Sequence, residues 1–153
     1  MDAVTLLKQD HVLMRGLLDE LAATTTRALK RRKDLVAKVQ TNLEAHTTIE
    51  EEIFYPAFKE AAKLADDRTM FFEALEEHRA AGDLVLPDLL ATDPAADTFS
   101  GRAKVLKELV EHHADEEEKE MFPRARKLRS KAQLAELGGR MDARKAELLG
   151  KAH

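Results

Sequence analysis

The sequence has no cysteine and no tryptophan, one tyrosine, six glycines and four prolines in 153 residues. Without cysteine there are no disulfides, thiolate zinc sites or cysteine nucleophiles, so any bound metal must be held by imidazole and oxygen. So few glycines and prolines leave out the many tight turns that an all-β fold requires. No apolar run reaches membrane-spanning length, which argues against a membrane partner. The N-terminus has neither the basic start nor the apolar stretch of a signal peptide, and a cytoplasmic protein is expected. Positive charge is also short: the formal net charge is −4 and the acidic residues are spread along the chain. Nothing overall attracts a phosphate backbone, so no nucleic-acid partner is expected. The local exception, Arg124, Arg126, Lys127, Arg129 and Lys131, reads as the decoration of a helix end, where cations complement the dipole.

What is present points to helix. Apolar residues make up 44% and charged residues 35%, the balance of helices with heavily solvated outer faces around one core. The chain also repeats itself. Adding 67 to the positions of His11, His46, Glu50 and Pro56 gives His78, His113, Glu117 and Pro123, the same residue each time. Asp10 maps in this way onto Glu77, Glu51 onto Glu118, and Tyr55 onto Phe122. Two copies of a helix pair explain the pattern. Apolar residues recur at helical spacing in four segments, which predicts helices near 3–28, 34–63, 67–91 and 98–128. Asp34 and Asp67 are expected as N-cap or first-turn residues, and Thr92-Asp93-Pro94 as the break after the third helix. The expectation is an all-α, up-down antiparallel four-helix bundle over 1–128, followed by a short extra helix within a C-terminal extension, 129–153. Gly138-Gly139 weakens that last helix, whose role would be to cover the bundle or pair with a second copy; the chain is expected to be a monomer or a homodimer. His153, the last residue, is expected to be disordered.

The histidines lie on the apolar stripes. A single histidine there is more often a hydrogen-bonded core residue, but four repeated in register across four helices point to metal. Buried imidazoles and carboxylates are costly unless paired or metal-bound. The i,i+4 spacing of His46/Glu50 and His113/Glu117 puts each pair on one helix face. Antiparallel packing can bring the two carboxylates together, where each can bridge two metals while four imidazoles supply two per metal. Such a donor set suits Fe, Mn or Zn rather than Mg or Ca, and spacing does not choose among the first three. His112/Glu116 is also an i,i+4 pair, but the repeat selects His113, because His112 corresponds to Ala45; His112 is expected to flank the site. A Glu-x-x-His ferritin-type site is excluded, since Lys8, Leu43, Leu75 and Val110 precede the four histidines at that spacing.

The order His11, His46-x-x-x-Glu50, His78, His113-x-x-x-Glu117, with Glu-Glu-x-x-x-(Tyr/Phe)-Pro after each second histidine, resembles the hemerythrin-like HHE domain family over residues 1 to about 128. The resemblance implies an up-down four-helix bundle with two iron ions bridged by oxide or hydroxide, ahead of manganese or zinc. It implies ligands of the dioxygen, nitric oxide or hydrogen peroxide kind. Oxygen-carrying hemerythrins have a fifth histidine one turn from the ligand on the third helix, where this chain has Ala74 and Gly82. The four-histidine pattern is closer to the bacterial hemerythrin-like subgroup.

Tyr55 breaks the repeat by one hydroxyl. Nine residues after His46, it points away from the site on an ideal helix. Pro56 disfavours α geometry at Tyr55 and removes a hydrogen bond to Glu52, so a distortion can swing the phenol inward as a candidate further ligand. An amphipathic tyrosine at the bundle end is the plainer alternative, and Pro56 and Pro123 can equally bend or end their helices. Ile53, Phe54 and Met121 are expected to wall the cavity. The site is compatible with two functions. One is a catalase-like reaction with hydrogen peroxide, or chemistry with nitric oxide or dioxygen; the other is oxygen, iron or redox sensing through a partner protein.

Overall fold

The computed structural model describes residues 1–151, so the expectation for His153 lies outside the described residues. Among them there is helix and no strand. The helices are α1 (Ala3–Ala22), α2 (29–61), α3 (65–90), α4 (97–128) and α5 (Lys131–Lys151). Short connections force neighbours to run antiparallel, and α1 to α4 form an up-down bundle with α5 packed against α1 and α2.

Local chemistry sets the helix ends. Asp2 caps α1 by accepting the Thr5 N–H at 2.8 Å. Ser130 and Gln133 open α5 as a reciprocal capping box, at 2.9 and 3.1 Å. Asp67 lies in the first turn of α3, as expected, where both its oxygens accept from Arg124 of α4 at 2.9 and 3.0 Å. Asp34 does not start α2. A turn in which the Ala28 N–H reaches the Thr25 carbonyl begins that helix at Leu29, and Asp34 lies exposed inside it. Within the basic cluster, Arg126 pairs with Asp2 and Arg129 donates to the Ala57 carbonyl, so with Arg124 three of its members are tied to their own chain. At the opposite end of the bundle the buried Arg32 joins two connections. It donates to Thr24 Oγ1 and O, Ser100 Oγ and the Pro94 carbonyl, and its guanidinium sits 4.7 Å from the centre of the Phe99 ring.

Three of the four inner helices are underwound in mid-course. Glu50–Phe54, Arg79–Val85 and Glu117–Met121 are π-helical, and α geometry resumes at Tyr55, Leu86 and Phe122. Those three residues donate their N–H five residues back, to Glu50, Ala81 and Glu117. Each immediately precedes a proline: Pro56, Pro87 or Pro123. A proline has no N–H for the ordinary bond and its ring crowds the carbonyl four residues earlier, so widening the preceding turn relieves both problems. Pro56 and Pro123 therefore neither end nor break their helices, which run on to Ala61 and Leu128.

The core is divided. One apolar cluster, around Phe54, Tyr55, Phe58, Phe71 and Phe122, fills the end nearest α5; another, around Leu18, Leu21, Leu35, Leu89, Phe99 and Leu106, fills the opposite end. The candidate metal residues form the polar layer between them. From α5, Leu134, Leu137 and Met141 join the first cluster. The helix runs straight through Gly138-Gly139, and Gly138 has a specific use there. A Cβ at this position would lie 2.7 Å from the Asp2 carbonyl carbon, so only glycine lets the start of the chain cross α5 this closely.

Candidate metal centre

His11 comes from α1, His46 and Glu50 from α2, His78 from α3, and His113 and Glu117 from α4, and all six are buried. The fold brings them together in two groups of potential metal-binding atoms, each group lying within 4.8 Å: His11, His46, Glu50 and Glu117, and then Glu50, His78 and His113. Glu50 belongs to both. Its Oε1 is 3.0 Å from His46 Nε2 and 3.0 Å from His78 Nε2. Glu117 Oε1 is 3.1 Å from His11 Nε2 and 3.2 Å from His113 Nε2. A third group, Glu77, His112 and Glu116, lies at the surface, with His112 exposed beside Glu116.

Each of the four buried imidazoles is oriented from behind. Nδ1 of His11, His46, His78 and His113 meets Glu118, Asp10, Glu51 and Glu77 at 2.9, 2.9, 3.0 and 2.7 Å. A carboxylate on Nδ1 holds the proton there and turns the Nε2 lone pair inward, the arrangement that prepares histidine as a ligand. These four carboxylates were not assigned a role from the sequence. Their signal was present, because the 67-residue repeat exchanges Asp10 with Glu77 and Glu51 with Glu118.

Tyr55 also reaches the centre. Its hydroxyl donates to Glu117 Oε2 at 2.9 Å and lies 3.0 and 3.1 Å from Nε2 of His78 and His113. One extra residue in a turn rotates the remainder of the helix by about 100°, and this carries the phenol from the far face of α2 toward the site. Phe122, its counterpart, stacks on His11 with ring centres 5.7 Å apart, as Tyr55 lies over His78 at 5.2 Å.

The electrostatics call for a cation. His78 Nε2 and His113 Nε2 are only 3.1 Å apart, and the buried His46 Nε2 and Glu50 Oε2 have no hydrogen-bond partner. Converging lone pairs and unpaired buried oxygens are unfavourable unless something positive sits among them. Without metal, protons do part of that work. Burial disfavours the charged form of His46, yet the Glu50 and Asp10 carboxylates outweigh it and raise the pKa to about 10. Burial acts on Glu50 in the opposite sense, and the imidazoles around it still hold it well below the usual carboxylate range. Burial and then the Glu117 and Glu50 charges keep the Tyr55 phenol protonated, well above its ordinary value.

Beside the four histidines is a cavity of about 20 Å³, walled by Met14, Leu43, Ala81 and Val110, large enough for one water-sized molecule. Ile53 and Phe54, expected in this wall, belong instead to the aromatic cluster on the other side of the polar layer. Met121 lines a second small cavity beside His113 and Glu117.

The family model for the Hemerythrin HHE cation binding domain matches residues 2–125. The chain belongs to that family. Among its relatives are Rv2633c of Mycobacterium tuberculosis and Mb2666c of Mycobacterium bovis, each 30% identical over 151 residues that cover 98% of this chain and 89% of the relative. The crystal structure of a hemerythrin HHE cation binding domain-containing protein, the Rv2633c homologue of Mycobacterium kansasii, superimposes with a TM-score of 0.84 at 30% identity. The match covers 99% of this chain and 89% of that one. This HHE domain thus carries a histidine and glutamate cluster able to bind metal, in a helical bundle shared with that structure. Among the described residues, no helix is long and apolar enough to cross a membrane.

Proposed function

We propose that this HHE domain holds two iron ions through His11, His46, Glu50, His78, His113 and Glu117, with Tyr55 as an additional ligand on the His78/His113 side. The reading rests chiefly on one observation: four Nε2 atoms, each aimed by a carboxylate on Nδ1, converge on two buried glutamates that both halves share. The histidine and carboxylate donors suit iron, manganese or zinc; the adjacent phenol and the family favour iron. Bound iron would supply two accessible redox states and polarise a small oxygen or nitrogen ligand.

The chain's own residues supply the rest. Met14, Leu43, Ala81 and Val110 limit the adjoining cavity to about 20 Å³ and make it apolar, which favours dioxygen, nitric oxide or hydrogen peroxide over larger or charged substrates. The Tyr55 phenol, 2.9 Å from Glu117, carries a proton while it is off the metal and would release it through Glu117 on ligation, so it is the group placed to pass a proton. Hydrogen peroxide is the favoured substrate, giving a catalase-like activity, because its decomposition needs both a redox centre and a proton carrier. Iron-loaded protein is expected to evolve oxygen steadily from peroxide and to lose this activity in His113→Ala. Absence of turnover in fully loaded protein contradicts the catalytic reading.

A further inference from the structure

The repeat makes the two halves of the centre nearly interchangeable, but their outer carboxylates have different neighbours. Behind His46, Asp10 is buried and carries an ion pair with Lys145, which reaches it from α5. Behind His11, Glu118 lies 3.4 Å from Arg15, which also pairs with Asp115 at 2.7 Å. The equivalents on the other side are Glu51 behind His78 and Glu77 behind His113. Among the described residues neither has a lysine or arginine within ion-pair distance; Glu77 has only the exposed His112, at 3.5 Å. Both cations therefore fall on the His11/His46 half. The position 67 residues after Arg15 is Gly82, which has open space where a side chain would be and lines a cavity with Glu51, His78 and Arg79, whose guanidinium pairs instead with Glu76 at 2.9 Å.

We propose that Lys145, assisted by Arg15, adds to the inequality that Tyr55 creates between the two metal positions, so that the His78/His113 position binds more tightly and fills first. The inference rests on the two-iron reading above. A carboxylate on Nδ1 raises the electron-donating power of the imidazole. A cation on that carboxylate draws its charge away and also repels a metal ion directly, so both effects weaken the same position. Lys145 carries the larger share, because Asp10 is buried whereas Arg15 and Glu118 are each about a third exposed and screened by solvent. Lys145 is a positioning residue, acting through Asp10. α5 thereby links the outer surface of the domain to one half of its centre.

Calorimetric titration of the metal-free full chain with ferrous iron, without oxygen, tests this. The unaltered chain is expected to bind two ions with affinities that differ by roughly tenfold or more. Lys145→Met should tighten the weaker event by roughly three- to tenfold and leave the stronger one in place, while Lys145→Arg restores the original ratio. Arg15→Gln, at a partly exposed site that does not endanger folding, should act in the same direction by less. Gly82→Arg should weaken the stronger event. Two ions with an unchanged affinity ratio in Lys145→Met and Arg15→Gln overturn the inference alone. Uptake of fewer than two ions by the unaltered chain overturns the two-iron reading and the inference with it.

Discussion

The half of the centre built from α1 and α2 and the half built from α3 and α4 use the same residues at the same spacing, yet their surroundings differ. On the first side Phe122 stacks on His11, and α5 packs over the outside with Lys145 on Asp10. On the second side Tyr55 brings a hydroxyl to His78 and His113, and among the described residues no lysine or arginine pairs with the outer carboxylates Glu51 and Glu77. A duplicated helix pair supplies the symmetric set of metal-binding candidates. A single hydroxyl, one arginine and one added helix distinguish the surroundings of the two halves without changing any of the six metal-binding candidates.

Removing the element shared by both sides should have the largest effect. Glu50 contributes to both groups of potential ligands, so Glu50→Ala is expected to lose both ions, whereas His11→Ala or His78→Ala should lose chiefly one. Metal content after dialysis separates these cases, and equal losses in all three variants would show that the halves do not act as distinct positions. Making the halves more alike is the next test. Tyr55→Phe gives both sides the same aromatic residue and should remove any iron-phenolate absorption band. It should also destabilise the metal-free domain by about 1–3 kcal/mol, since a buried carboxylate loses a hydrogen bond. An unchanged visible spectrum argues against phenolate ligation. A third test is the pH response of the metal-free domain. His46 rises from 6.5 to about 10 on folding, so its stabilising contribution is complete below pH 6.5 and is lost as pH rises through 10. Thermal midpoints should fall across that interval, and iron, which requires an unprotonated Nε2, should flatten the slope. A metal-free midpoint that rises from pH 6.5 to 10 would show that protonation of His46 does not support the fold.

The bundle and the inward-facing histidines were legible in the sequence because both depend on periodicity, at 3.6 residues for each helix and 67 for the pair. The approach of Tyr55 was legible only as an alternative, since an ideal helix puts position 55 opposite His46. The widened turn that brings it inward depends on the backbone's response to Pro56, and the same response precedes Pro87 and Pro123. Three prolines inside apolar, helical patterns were the available signal. That α5 covers the bundle was one of two expectations; which helices it covers was not legible. Gly138 looks like a weak point in a helix until the start of the chain is found crossing it, and no local pattern connects Lys145 with Asp10.

The central claim is that the two halves together make one two-metal centre. Iron content per chain after anaerobic loading and desalting tests it most directly. Two irons in the unaltered chain, falling to about one in His78→Ala and to none in Glu50→Ala, is the predicted result. One iron or none in the unaltered chain would contradict it.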